Sequence, residues 1–332
     1  MLLAALLSFS IPAAAQETPE PKLEPPKLKL RVVLSDWEPI RDRDSREAEL
    51  LFASLAADWK HSGWGAKVEL RGREGLFRPY FPSSVWLEEG FAFVETPAGQ
   101  VRAGKLPRTF GVEDVTFAGN LFSRNGVSRN PDFGAALCGS RRLGHDTLTW
   151  SASYFGQNDH VAWEADGIGV ESDPDAKLRD SFGGRVTYKW NNVLWSITPG
   201  LSLESGRIVR TDDELRRTDW ALDLTGTLGP LSLTAMLFRR GAQAPGVRLG
   251  YGDSSAGLVE VQIELPNTLY RYTYSEWSYG GGATSERVHQ VGIAWNGIRG
   301  IEGTVEYNAR RLRTASGISV INAFQLGVAL RY

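Results

Sequence analysis

The chain has 332 residues, a formal net charge of −2, one cysteine and 36 glycines, with aromatic residues at 11%. A single cysteine excludes a disulfide scaffold, and no Cys/His cluster has the spacing of structural zinc. The apolar and aromatic content excludes a disordered chain, and the near-neutral balance without a basic stripe excludes a nucleic-acid partner.

Residues Leu2–Ile11 are almost wholly apolar, and Ala13-Ala14-Ala15 gives the small-x-small pattern of a cleavage site. Residues 1–15 therefore read as a signal peptide cut after Ala15. No Lys or Arg precedes the apolar run, which points to a start codon further upstream. The run is about 14 residues, short of the roughly 20 a membrane helix needs. Prolines at 19, 21, 25 and 26 make residues 16–27 an extended tether on the periplasmic side. No second domain boundary follows.

From residue 28 to 332 the pattern is strands with strict two-residue alternation. Val193, Trp195, Ile197, Leu201 and Leu203 oppose Ser196, Thr198, Ser202 and Glu204; Val259, Val261, Ile263 and Leu265 oppose Glu260, Gln262 and Glu264. Tyr270, Tyr272 and Tyr274 oppose Arg271, Thr273 and Ser275, and Phe324, Leu326, Val328, Leu330 and Tyr332 oppose Gln325, Gly327, Ala329 and Arg331. Sixteen such runs occur, each roughly 9–11 residues, the length and even number of an outer-membrane barrel. The weakest are 48–61, where Leu50, Leu51 and Phe52 are consecutive, and 84–95, where Glu88-Glu89 breaks the phase.

Connections alternate between short and long. Seven short ones (such as Ser62-Gly63, Pro97-Ala98 and Asn191-Asn192) interleave with eight long ones, including Leu106–Pro131, Gly156–Asp180, Ser205–Arg217, Ser278–Glu286 and Arg313–Ile321. That is the arrangement of a barrel with tight periplasmic turns and longer external loops. Trp150, Tyr154, Tyr188, Trp190, Trp195, Trp220, Trp277, Trp295 and Tyr332 fall near strand ends on the apolar phase, as two interfacial girdles require. The fold expected is an all-β transmembrane antiparallel barrel of about sixteen strands in a bacterial outer membrane.

Two segments resemble known sequences. Phe324, Leu326, Val328, Leu330 and Tyr332 are similar to the C-terminal signal by which the barrel-insertion machinery recognises its clients. The stretch Val101–Glu113, with Gly104, Lys105, Leu106, Phe110 and Gly111, resembles the strand-to-loop segment of the phosphate-selective porin O and P family. Arg124 to Asn158 resembles the region that follows it. Pro107 stands where that family has a basic residue and Thr109 where it has proline. The resemblance implies a sixteen-stranded, usually trimeric channel whose third loop folds into the lumen.

A barrel of this size holds an aqueous lumen. The expected function is passive diffusion of small hydrophilic solutes, with selectivity set by bore and lining charge. The third loop, 106–131, is the expected constriction, with Arg108, Arg124 and Arg129 against Glu113 and Asp114. Guanidinium groups suit phosphate or carboxylate through paired parallel hydrogen bonds. Ten basic residues fall on the inward phase: Lys29, Arg31, Lys67, Arg71, Arg102, Arg185, Lys189, Arg271, Arg310 and Arg331. Six acidic ones oppose them: Glu69, Glu204, Asp223, Glu260, Glu264 and Glu306. The surplus favours anions unless opposite charges simply pair across strands.

The fourth loop, 156–180, is acidic and reads as solvated, or as a divalent-cation bridge to lipopolysaccharide phosphates. Gly-x-Ser-x-Gly, His-Glu-x-x-His and Walker patterns are all lacking, so no enzyme, cofactor or metal site is expected. Expected partners are outer-membrane lipid and lipopolysaccharide, the insertion machinery, two further copies in a homotrimer, and the permeating solutes. A non-conducting barrel with a structural or adhesive role is the alternative; inward glycines (Gly134, Gly183, Gly200, Gly292, Gly327) favour an open bore.

Overall fold

The computed structural model describes residues 27–39, 47–72, 85–112, 132–158, 177–209, 214–243, 253–279 and 284–331. The signal peptide, nearly all of the tether, Tyr332 and most of loops three and four lie outside them. The strands are β1 (Lys27–Pro39), β2 (Glu47–His61), β3 (Trp64–Gly72), β4 (Val85–Thr96), β5 (Gly99–Leu106), β6 (Asp132–Leu143), β7 (Asp146–Asn158) and β8 (Lys177–Asn191). They continue as β9 (Trp195–Val209), β10 (Glu214–Leu228), β11 (Leu231–Gln243), β12 (Ser254–Leu265), β13 (Thr268–Tyr279), β14 (Thr284–Ile298), β15 (Ile301–Thr314) and β16 (Gly317–Arg331). Every strand pairs antiparallel with its sequence neighbours, and β1 pairs with β16, so the sheet closes on itself. Closure leaves no backbone edge for lipid to face, the condition for a sheet to cross a membrane.

The period-two pattern fixes which face is which. Leu201, Leu203, Leu222, Leu224, Leu233, Leu237, Val259 and Ile263 all lie exposed on the outer surface. Their sequence neighbours Ser202, Glu204, Asp223 and Glu260 are buried inside. Such an outer surface is stable only against hydrocarbon. Trp64, Trp190, Trp195 and Trp295 ring it at the end of the tight turns, and Tyr154, Phe182 and Phe133 mark the opposite end. Eight residues of β8 separate Phe182 from Trp190, about 26 Å of chain and roughly 20 Å along the membrane normal at the usual tilt.

Both phase breaks in the sequence are β-bulges. Val33 pairs with Phe52 and Leu34 with Leu50, leaving Leu51 as the extra residue. Glu69 pairs with Glu89 and Leu70 with Leu87, leaving Glu88 extra, so the alternation resumes beyond each bulge. At Ser62-Gly63, φ values of 36° and 89° give the doubly left-handed turn that matches hairpin twist.

Three expectations need correction. Ten of the strands run 13–15 residues, longer than the 9–11 expected, because they continue past the hydrocarbon as paired ribbon. Consequently the external connections after β9, β13 and β15 shrink to residues 210–213, 280–283 and 315–316, and the short–long alternation weakens there. Trp277 is no girdle residue: it shares the inward phase of Thr273 and Ser275 and is completely buried.

Candidate functional site: the inner wall and the third loop

β5 ends at Leu106, which is buried on the inner face with Ala136 of β6 and Phe155 of β7. Residues 107–112 then follow the inner wall across several strands, and nearly every one of them is tied down. Arg108 ion-pairs with Glu204 of β9 and lies 4.0 Å from Asp132 of β6, its guanidinium 6.0 Å from the centre of the Phe155 ring. Ser151 Oγ of β7 donates to Thr109 Oγ1 at 2.9 Å. The Gly111 N–H donates to Ser202 Oγ of β9 at 3.0 Å. Phe110 meets Phe238 of β11 edge-to-face with centroids 6.1 Å apart. Gly111 has φ +67°, the left-handed region that favours glycine, and a Cβ there would sit 2.9 Å from Met236 Sδ, which would have to move aside.

Phe110 belongs to an apolar cluster inside the barrel. With it are Ala221, Met236, Phe238, Leu258, Trp277, Tyr279 and Val288, all buried and contributed by five consecutive strands, β10 to β14. Trp277 packs at a tilt against Phe238 with centroids 4.9 Å apart, and Arg240 lies 5.5 Å from the Phe238 ring. Transfer from water drives this cluster as it would in a soluble core, and it holds the loop segment against one arc of the wall.

Beside the cluster runs a belt of alternating charge. Glu204 faces both Arg108 and Arg217, the latter at 3.3 Å; Arg217 reaches Asp219 at 3.0 Å; Asp219 takes two 3.0 Å hydrogen bonds from Arg240. These five side chains are all at most 6% exposed. Next to them Arg185 donates to both Asp223 oxygens at 2.5 and 2.8 Å and to Ser202 Oγ at 2.9 Å. A buried charge without its partner is strongly destabilising, so each member fixes its neighbours and Ser202 in turn orients the loop backbone.

The other expected wall residues fall into place as follows. Lys67 pairs with Glu89 at 2.5 Å, and Arg71 with Glu69 at 2.8 Å and Glu88 at 2.9 Å. Arg102 donates to Gln100 at 2.5 Å and lies over Phe91. Arg310 pairs with Glu286, and Lys29 with Asp58 at 3.5 Å. Arg271 is half-buried in a row with Gly292 and Glu306, and Lys189 is exposed near the turn end of β8. Arg31 and Arg331 are register partners. Glu113, Asp114, Arg124 and Arg129 lie outside the described residues. Phe324, Leu326, Val328 and Leu330 occupy the outer face.

The sequence count missed Arg217, Asp219, Arg240, Glu286, Glu88, Glu89 and Asp132. Arg217, Arg240 and Glu286 fall in stretches that read as loop, where continuing the two-residue phase outward would have placed them inside; Asp219 lies on the inward phase at the start of the run expected over 218–227. The added carboxylates shrink the cationic surplus, and cross-strand pairing neutralises much of the rest.

A closed sixteen-stranded barrel with a lipid-compatible exterior, a charged interior and an inward-packed third connection has the architecture of the outer-membrane porins. No family model matches the sequence, and no curated protein matches it. Solved structures do. An anion-selective porin from Comamonas acidovorans superposes with TM-score 0.66 over 92% of this chain and 100% of its own, at 13% identity. OmpF of Salmonella typhi, solved with daunomycin, gives 0.64 over 92% and 97% at 12% identity. The outer-membrane channel DcaP of Acinetobacter baumannii gives 0.62 over 92% and 97% at 13% identity. At such identities the likeness establishes the fold.

Proposed function

We propose that the protein is a bacterial outer-membrane porin through which small hydrophilic solutes diffuse passively, with residues 106–131 narrowing the lumen. The observation carrying this reading is the docking of 107–112 on the inner wall through Arg108, Phe110 and Gly111. A connection folded inside a wide barrel reduces the bore while leaving the wall wet, which is how a diffusion pore acquires a size limit. The inward charges keep water in the lumen, and the paired belt supplies a rigid rim.

Selectivity is proposed to lean toward anions such as phosphate and carboxylates, set by Arg124 and Arg129 together with the wall bases outside the belt. Arg108 acts here as an anchor, since Glu204 already occupies it. The resemblance of Val101–Glu113 to the phosphate-selective porin O and P family supports this reading, and Leu106, Phe110 and Gly111 each have a packing role consistent with it. The functional unit is proposed to be a homotrimer, delivered through the C-terminal strand to the insertion machinery.

The test is liposome swelling with neutral sugars of graded size and with charged analogues of equal size. The proposal expects uptake that falls steeply with solute size and is faster for the anion. Equal exclusion of all solutes by folded, inserted barrels would refute it and leave the structural or adhesive alternative.

A further inference from the structure

The outer face of β13–β16 carries a cationic patch at the external end of its strands. Arg287 of β14 and Arg311 of β15 are direct register partners, and Arg313 lies one outward row above them. All three are exposed. Like charges directly opposed across strands repel, so this arrangement costs stability unless an anion joins them. Glu276 accepts from Arg287 Nε at 2.9 Å and is the carboxylate of that row. The adjoining connections, Gly-Gly-Gly-Ala at 280–283 and Ala-Ser at 315–316, carry no acid. On β12 the outward register partners of Glu276 and Ser278 are Gly257 and Ser255, and on β1 Glu38 is the register partner of Phe324.

Below the arginines the outward residues turn small and then apolar. Ala309 sits between His289 of β14 and Asn322 of β16 in register, with Arg311 above it and Tyr307 beneath. Tyr307 packs at a tilt against Phe324 with centroids 5.2 Å apart, and Val291, its register partner, extends the apolar surface. His289 is braced by the Tyr272 hydroxyl at 3.0 Å and the Tyr274 ring at 4.9 Å. The fifteen-residue β14 exceeds the 9–11 residues that cross hydrocarbon, so its external end, with Arg287, stands at the headgroup level of the outer leaflet.

A second arginine ladder makes a useful contrast. Arg179, Arg207 and Arg216 are register neighbours on β8–β10, but there Asp180 and Glu214 both pair with Arg207. That ladder has two carboxylates to three guanidiniums, whereas among the described residues Glu276 alone is a carboxylate in register with the arginines of β14–β15.

We infer that Arg287, Arg311 and Arg313 form a binding site for the phosphate groups of an anionic outer-leaflet lipid whose acyl chains lie on Tyr307 and Phe324. The inference rests on the outer-membrane reading but not on conduction. Guanidinium forks donate paired hydrogen bonds to phosphate, the small Ala309 side chain leaves the headgroup unobstructed, and the aromatic pair beneath receives the first methylenes.

The test uses the full refolded barrel in neutral detergent, with lipid retention read by native mass spectrometry and affinity by titration against lipopolysaccharide. Wild type should bind phosphorylated lipopolysaccharide, while Arg287→Gln/Arg311→Gln/Arg313→Gln should bind about tenfold more weakly or worse. Arg179→Gln/Arg216→Gln serves as the matched control and should leave affinity unchanged. Ala309→Trp puts bulk directly beneath Arg311 with every charge intact and should also weaken binding. Circular dichroism confirms that each variant is folded, and liposome swelling reads the porin activity separately. Undiminished binding by the triple variant, equal binding of enzymatically dephosphorylated lipid, or full displacement by millimolar inorganic phosphate would each overturn the assignment.

Discussion

Replacing Phe110 with alanine tests whether the third loop is held in place by its docked ring. The ring is 7% exposed and packs among Met236, Phe238 and the rest of the inner cluster. Burying a phenylalanine side chain is worth about 1.5–3 kcal/mol, and truncation inside a closed core costs more because a cavity remains. Here the vacated space borders a wet lumen and water can enter it, so the lower range applies, about 2–3 kcal/mol. The perturbation acts on the loop, because no strand pairing involves Phe110, and its docked population relative to undocked forms should fall by roughly 30- to 150-fold. Arg108 and the Gly111 hydrogen bond remain and will still dock the segment part of the time. Single-channel recording of the refolded variant should therefore show added open-state noise and excursions to higher conductance, with unfolding midpoint nearly unchanged. Conductance and noise indistinguishable from wild type, in a barrel verified as folded, would refute the reasoning.

Three further outcomes follow from the same geometry. Gly104→Val should sharply lower refolding yield, because φ there is +132° and a Cβ would strike the Gly90 carbonyl oxygen across the β4–β5 pair; the strain alone is about 1–3 kcal/mol and is read from the folded fraction. Arg185→Ala leaves the Asp223 carboxylate, only 2% exposed, without its two guanidinium bonds and should cost about 3 kcal/mol in denaturant unfolding, while Arg185→Met/Asp223→Leu should recover most of it. Leu201→Arg places a charge on the lipid face near the middle of β9 and should cost about 2–4 kcal/mol, whereas Thr187→Arg on the inward phase of β8 should be nearly neutral in stability and alter ion selectivity.

Much of the fold was legible because a barrel wall writes itself in alternation. Leu201, Leu203, Leu222 and Leu224 alternate with Ser202, Glu204 and Asp223, and closure by β1 and β16 needed only an even number of such runs. Where the alternation slipped, at Leu51 and Glu88, the backbone bulges, and the slip itself marked the site. The inner aromatic cluster was harder to read. Met236, Phe238, Trp277 and Tyr279 are apolar residues on the polar phase, and their burial depends on a loop arriving from β5, more than a hundred residues away in sequence. The role of Arg108 was missed for the same reason. Sequence placed it in the constriction, but only the fold brings Glu204 to it and turns a lining charge into an anchor.

The most direct measurement is single-channel conductance of the refolded barrel in a planar bilayer, with the reversal potential taken under a salt gradient. Stepwise openings with a linear current–voltage relation and a chloride-favouring reversal potential are the predicted result. Folded, inserted barrels that carry no current would contradict the claim that the lumen is a diffusion path.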